Sequence, residues 1–220
     1  MAGDPPGVQS PRPDWAPRWL AWAREIQSLA QTGLHYAHDD FELGRAQRLL
    51  EIAADIVGAH ADLPRQEIRM AFSEQPGYVT PKVDVRGAVF RGDEILLVRE
   101  SLDGGWTLPG GWADVGESPT EAVEREVREE AGLHVRVARL VGVYDANRVE
   151  EALSLFHAYK LVFLCQEIGG EPTPSAETSQ VAFFPLDRLP EPFSAHRTTP
   201  RHVADAFAAH ADPDRPAAFD

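Results

Sequence analysis

Cysteine is nearly absent: Cys165 stands alone among 220 residues, which excludes an internal disulfide and makes a reducing, cytoplasmic setting the expectation. No apolar run approaches the roughly 18–20 residues of a membrane span, and the first residues lack the pattern of a secretory leader. Basic residues are scarce too. Lys and Arg number 21 against 35 Asp and Glu, a formal net charge of −14. Nucleic-acid binding rests on basic side chains that neutralise phosphates, so a general affinity for DNA or RNA is not expected. What is present is an ordinary globular composition, 43% apolar and 25% charged, with length enough for one ample core and a smaller module.

The densest chemistry lies between Gly111 and Leu133. Glu126, Glu129 and Glu130 fall at i, i+3 and i+4, on one side of a helix. Like charges at that spacing weaken a helix by about 0.2–0.5 kcal/mol per pair. Three crowded carboxylates therefore ask for a cation, and an all-oxygen ligand set suits a hard divalent ion, Mg²⁺ or Mn²⁺. A bound metal would also invert the local potential and admit a small phosphorylated substrate. The surrounding residues spell a helix. Ser118 is a good N-cap, Pro119 fits the first helical position, Glu121 completes an S-x-x-E capping box, and Gly132 suits a left-handed end. Ala122, Val123, Val127 and Ala131 form an apolar stripe, and the three glutamates flank it at the edge of the buried face. Arg125 can reach Glu121 or Glu129 at four-residue spacing. Gly110 and Gly111 before the helix let the backbone bend sharply and bring a carbonyl close to an ion. A solvated acidic helix face, the usual meaning of a charge run, leaves the paired glycines and the arginine unexplained.

Gly111, five residues, Glu117, seven residues, then Arg125-Glu126-Val127-x-Glu129-Glu130-x-Gly132-Leu133 resembles the complete Nudix box. The resemblance implies an α/β/α sandwich and hydrolysis of a nucleoside diphosphate linked to another group, between the two phosphates. It implies Glu126, Glu130 and the Gly111 carbonyl as metal ligands, with Glu129 completing the cluster or acting through bound water. Arg125 would orient a carboxylate. The general base stays open among Glu129, Glu130 and Glu177, and Glu177 reads equally as a solvated loop residue. Arg86, Arg99 and Glu177 are candidate substrate contacts, Arg99 because bidentate donors match phosphate. Arg99 reads as well as an edge-strand surface residue. Trp106, Trp112, Tyr144 and Phe156 could stack on a base, although such aromatics more often fill a core. His157 reads as a satisfied strand histidine, and His60, His196, His202 and His210 lack metal-ligand spacing. Cys165, in an apolar run, reads as a buried thiol.

The expected class is α+β. Residues 1–13 read as a flexible tail, 14–72 as a helical domain, 73–80 as a linker, 81–210 as the Nudix domain and 211–220 as a polar tail. The helical domain should be a hairpin. Trp19 to Ala30 recur with helical period and stop at Gly33; Ala46 to Val57 follow the caps Asp39 or Asp40. Such a pair cannot bury both stripes alone, so it should pack on the next domain or a second subunit. Strands are expected at 82–90, 94–100, 135–144, 154–166 and 181–184, with turns at 91–93 and 169–174 and a helix from Thr199-Pro200 to about His210. Trp22-Ala23, Ala30–Leu34, Pro81–Gly87, Gly104–Pro109 and Ser194–Pro200 are similar to a bacterial Nudix subgroup with a helical N-terminal domain. That likeness implies a homodimer and CDP-choline as first substrate, giving CMP and phosphocholine, with ADP-ribose next. An RNA 5′-pyrophosphohydrolase is disfavoured by the acidic balance. A non-catalytic nucleotide-sensing regulator is disfavoured by the intact box and by a hairpin lacking a basic recognition helix.

Overall fold

Residues 17–60, 65–73, 80–147 and 157–220 are described by a computed structural model of the chain, which divides into units spanning residues 1–80 and 81–220. The expected tail at 1–13, residues 74–79 of the expected linker, and Phe156 lie outside the described residues.

The first unit holds α1 (Arg18–Tyr36), α2 (Asp40–Gly58) and α3 (Arg65–Ser73). Asp39 caps α2, accepting from the Glu42 N–H at 2.7 Å. The helices meet through small side chains, Ala23 and Ala30 on α1 and Ala46, Ala53 and Ala54 on α2. Gly33 belongs to this contact and does not end the helix: a Cβ on it would sit 3.2 Å from the Ala46 Cβ. Close approach, not termination, is its role, and α1 runs on to Tyr36. The third helix was not expected. It buries Ile68 and Phe72, one turn apart, and the Phe72 carbonyl accepts a hydrogen bond from Gln31. Ser73 closes this helix and does not open a linker.

The second unit is a mixed sheet between two helices. Its elements are β1 (Lys82–Arg91), β2 (Glu94–Glu100), β3 (Trp106–Thr107), α4 (Pro119–Ala131), β4 (Leu133–Asp145), β5 (Ala158–Gly170), β6 (Thr178–Pro185), α5 (Pro200–Ala211) and β7 (Ala218–Phe219). The order is β3-β2-β1-β5-β4-β7, with β6 on β2. β1 and β5 pair in parallel from Lys82 opposite Ala158 to Val89 opposite Cys165. β1 is buried continuously from Asp84 to Val89, as a strand covered on both faces must be. Val85, Val89, Leu96 and Val98 pack on the α4 stripe of Ala122, Val123, Val127 and Ala131. Ala88, Ile95, Leu97 and Val162 pack on Val203, Ala206 and Ala209 of α5. A Cβ on Gly87 would lie 2.5 Å from a Val127 methyl, so this glycine lets α4 settle onto β1.

Three boundaries differ from expectation. β5 extends to Gly170, so the glycine pair ends the strand instead of separating it from β6. The short β3 carried no periodic signal. Residues 211–220 are not a free tail: Ala218 and Phe219 pair in parallel with Gly142 and Val143, and Asp220 accepts from the Asp145 N–H and pairs with Arg201.

Candidate active site

Two elements build the site: α4 and the glycine turn before it. α4 starts with a reciprocal box, Glu121 N–H to Ser118 Oγ at 3.3 Å and Ser118 N–H to Glu121 Oε2 at 2.8 Å, and ends at Gly132 with φ +73°. The turn runs beside β1. Gly87 N–H donates to the Pro109 carbonyl, Val85 N–H to the Gly111 carbonyl, and Ala113 N–H to the Val83 carbonyl, at 2.8, 2.8 and 3.0 Å. Gly110, between them, turns its N–H to Glu130 Oε2 at 2.8 Å. Its φ is +147°, and a Cβ there would fall 2.0 Å from the Val85 carbonyl oxygen.

The three helix glutamates are not equivalent. Glu130 is 3% exposed, whereas the side chains of Glu126 and Glu129 are 14% and 52% exposed. Burial pushes the Glu130 carboxyl up to about 7, with the Gly110 N–H and Arg86 offsetting only part of the cost. Burial raises Glu126 too, against the pull of Arg125. Arg125 is the hub of the cluster. Its Nε and Nη2 grip Glu117 at 2.8 and 2.9 Å, and its Nη1 reaches Glu126 at 2.8 Å and Glu129 at 3.1 Å. Of the two expected partners it takes Glu129 and not Glu121, whose carboxylate is committed to the cap. These partners hold Arg125 well above the ordinary guanidinium range.

Among the described residues no three acidic, His or Cys side chains converge as a ready-made metal cage. The geometry explains why: Arg125 draws Glu126 and Glu129 to itself, and Glu130 rests on Gly110. The donors nonetheless suit a hard divalent ion. Two carboxylates turn toward the same cavity, and a Cβ on Gly111 would meet both Glu126 carboxylate oxygens at 3.0 Å, so the glycine leaves the space before them open. The Gly111 carbonyl already accepts from Val85 N–H, so ligation would fall to its other lone pair.

A cavity of about 570 Å³ gathers Arg86, Gly111, Arg125, Glu126, Glu130 and Glu177, and an adjoining one of about 370 Å³ takes in Glu129 with Arg125, Glu126, Glu130 and Glu177. Glu177 is exposed and its carboxylate has no hydrogen bond or ion pair among the described residues. Arg99 lines neither cavity. Its Nε donates to the Gly104 carbonyl at 2.9 Å and braces the loop between β2 and β3. Trp106 and Tyr144 belong to the core, the latter donating to Asp205 Oδ2 at 3.0 Å, whereas Trp112 stands 49% exposed on the cavity wall. His157 lies 3.3 Å from Asp145, and the buried Cys165 thiol is pushed up to about 12 by burial.

Sequence reasoning passed over Asp84 and Lys160. Arg86 donates to Asp84 Oδ1 and Oδ2, both at 2.8 Å, and Lys160 Nζ sits 2.9 Å from Oδ1, all three lining the larger cavity. The available signal was charge inside otherwise apolar strands, which demands a partner. His196 and Arg197 also line the cavity, and Arg197 Nη1 stands 3.3 Å from the buried Glu100.

Residues 17–72 match a family described as a UDP-X-like, N-terminal oligomerisation domain, and residues 80–207 match the NUDIX domain. A Bacillus subtilis protein, YjhB, provisionally named an ADP-ribose pyrophosphatase, is 37% identical over 92% of this chain and 97% of its own. A crystal structure of a UDP-X diphosphatase superposes with TM-score 0.60 at 29% identity, over 92% of this chain and 98% of the other. A Streptococcus suis ADP-ribose pyrophosphatase structure gives TM-score 0.58 at 40% identity, over 64% of this chain and all of its own. With an α/β/α sandwich that follows an N-terminal helical unit in sequence, the chain belongs to the Nudix hydrolases, a family whose members generally need divalent cations.

Proposed function

We propose that this Nudix hydrolase is a Mg²⁺- or Mn²⁺-dependent pyrophosphohydrolase that cleaves the diphosphate of a nucleoside diphosphate linked to a second group. The observation that carries the reading is the pair Glu126 and Glu130, half-buried and buried carboxylates facing a cavity of about 570 Å³ across the open side of Gly111. Near 4 Å and at an effective dielectric near 20, two unit charges interact by about 4 kcal/mol, so a diphosphate approaches these carboxylates only with cations between. Glu126, Glu130 and the Gly111 carbonyl would hold a divalent ion there, which would supply polarisation of a phosphoryl oxygen and a lowered pKa for a bound water.

The side chains divide the remaining tasks. Arg125 holds Glu126 and Glu129 in one orientation through its hydrogen bonds, with Glu117 as its anchor. The Gly110 N–H steadies Glu130. Glu177, on the wall of both cavities with an uncommitted carboxylate, is the side chain best placed to take a proton from the attacking water.

ADP-ribose is supported by the names of the Bacillus and Streptococcus relatives. CDP-choline is supported by the exposed Trp112 on the cavity wall, an aromatic face that already attracts the Lys82 ammonium, 6.0 Å from its ring, and suits a quaternary ammonium. A homodimer is supported by the large apolar side chains Leu29, Tyr36 and Phe41 that α1 and α2 leave exposed. The test is a panel of ADP-ribose, CDP-choline, a UDP-linked sugar, NADH and triphosphate-ended RNA, assayed with each metal. No hydrolysis by pure, metal-loaded protein overturns the reading, and a monomeric mass in light scattering overturns the dimer.

A further inference from the structure

Only two lysines occur in this chain, against nineteen arginines, and one of them is buried at the cavity. Lys160 is 2% exposed and shares the Asp84 carboxylate with Arg86. The strand register forces the meeting: Asp84 stands opposite Lys160 in the parallel pair, and Arg86, two residues on, shares the face of Asp84. One carboxylate thus serves two cations, leaving a net positive charge in a buried trio. Arg86 also faces the buried carboxylates of Glu130 and Glu100, the latter matched by Arg197 at 3.3 Å. Among the described residues the Lys160 ammonium spends one of its three donors, on Asp84, so a purely structural ion pair accounts poorly for its place at the cavity. Burial drives the Lys160 ammonium down to about 8, with Asp84 offsetting part of the cost and Arg86 adding to it.

The cavity is polarised. Arg125, Glu126, Glu130 and Glu177 line both it and the adjoining one, which marks the glutamate end. Lys160, His196 and Arg197 line the larger cavity and not the smaller. On the diphosphate reading above, we propose that Lys160, assisted by Arg197, binds the phosphoryl group not held at the Glu126–Glu130 end, so that the two phosphates meet positive charge from two different sources. The cavity then selects two linked phosphates over a single phosphate ester.

Lys160→Met, of similar length without charge, tests this by calorimetric titration of α,β-methylene-ADP in Mg²⁺, with Mn²⁺ titrated alone as control. Charge-assisted hydrogen bonds of this kind predict analogue binding weaker by about ten- to a hundredfold, with Mn²⁺ binding unchanged. For any panel compound that the wild type hydrolyses, KM should rise by more than kcat falls. Analogue affinity equal to wild type overturns the proposal and leaves Lys160 a structural partner of Asp84. Parallel loss of Mn²⁺ and analogue binding overturns it also. If Lys160→Met does not fold, Arg197→Met decides by the same titration, unchanged affinity overturning the cationic subsite. Failure of the wild type to hydrolyse any panel compound sinks the diphosphate reading separately, because the analogue titration needs no turnover.

Discussion

The Gly110 N–H donates to Glu130 Oε2 at 2.8 Å, and this one bond ties the glycine turn to the last turn of α4. Glu130→Gln keeps an acceptor for it and removes the charge. Since burial lifts Glu130 from 4.5 to about 7, the folded chain binds the extra proton, and metal-free stability falls as pH rises through that window. The glutamine variant should lose this slope, melting in EDTA at pH 8 at or above the wild-type temperature by scanning fluorimetry. Its turnover with Mg²⁺ should drop about 10²-fold or more. Full activity would remove Glu130 from the chemistry.

Arg125 binds three carboxylates, Glu117, Glu126 and Glu129, that would otherwise repel one another. Arg125→Met should destabilise the metal-free protein by about 1–2 kcal/mol, discounted for its partial exposure. Millimolar Mg²⁺ should recover part of the loss, because a cation again separates Glu126 from Glu129. Urea unfolding with and without metal measures both terms. A variant as stable as wild type in EDTA would show the hub to be dispensable.

The two glycines of the turn should respond differently to a methyl group. Gly110→Ala places a Cβ 2.0 Å from the Val85 carbonyl oxygen at φ +147°, and should abolish soluble expression or cut stability severely. Gly111→Ala meets only the movable Glu126 carboxylate at 3.0 Å. It should fold, melt within a few degrees of wild type, and lose most activity. Activity retained in Gly111→Ala would argue against a metal beside Glu126.

His202, within the field of Asp84, Arg86 and Lys160, gives a second pH signature. It is buried neutral in the capping box of α5, accepting from Thr199 N–H at 3.1 Å, and burial drives it from 6.5 down to about 3. A depressed base stabilises fully above the unfolded value, and that stability is lost as pH falls below 6.5, amounting to about 2 kcal/mol by pH 5. His202→Gln retains the reciprocal cap without the titration, so its melting temperature should fall less between pH 7 and pH 5. Parallel pH profiles for the two proteins would refute the assignment.

Glycine and proline signals were legible where they act on the local backbone. Ser118, Pro119, Glu121 and Gly132 bound α4 as local capping rules require, and β1, β2 and α5 fall close to their patterned segments. Gly33 misled because a helix-ending glycine and one that admits a neighbouring helix look alike until Ala46 is in place. β7 was invisible for a similar reason: two residues have no period, and only β4 makes them a strand.

The sequence alone determined the chemistry on offer. Spacing placed three carboxylates and an arginine on one helix, and a single cysteine excluded an internal disulfide. Tertiary structure decided the division of labour among them. The packing of α4 on Gly87 buries Glu130 and leaves Glu129 in solvent, a distinction absent from i, i+3, i+4 arithmetic. Strand pairing brought Asp84 to Lys160 across 76 residues, and the Gly104 carbonyl took Arg99 away from the cavity. Burial and long-range register set the charge of a site, and neither is written in local sequence.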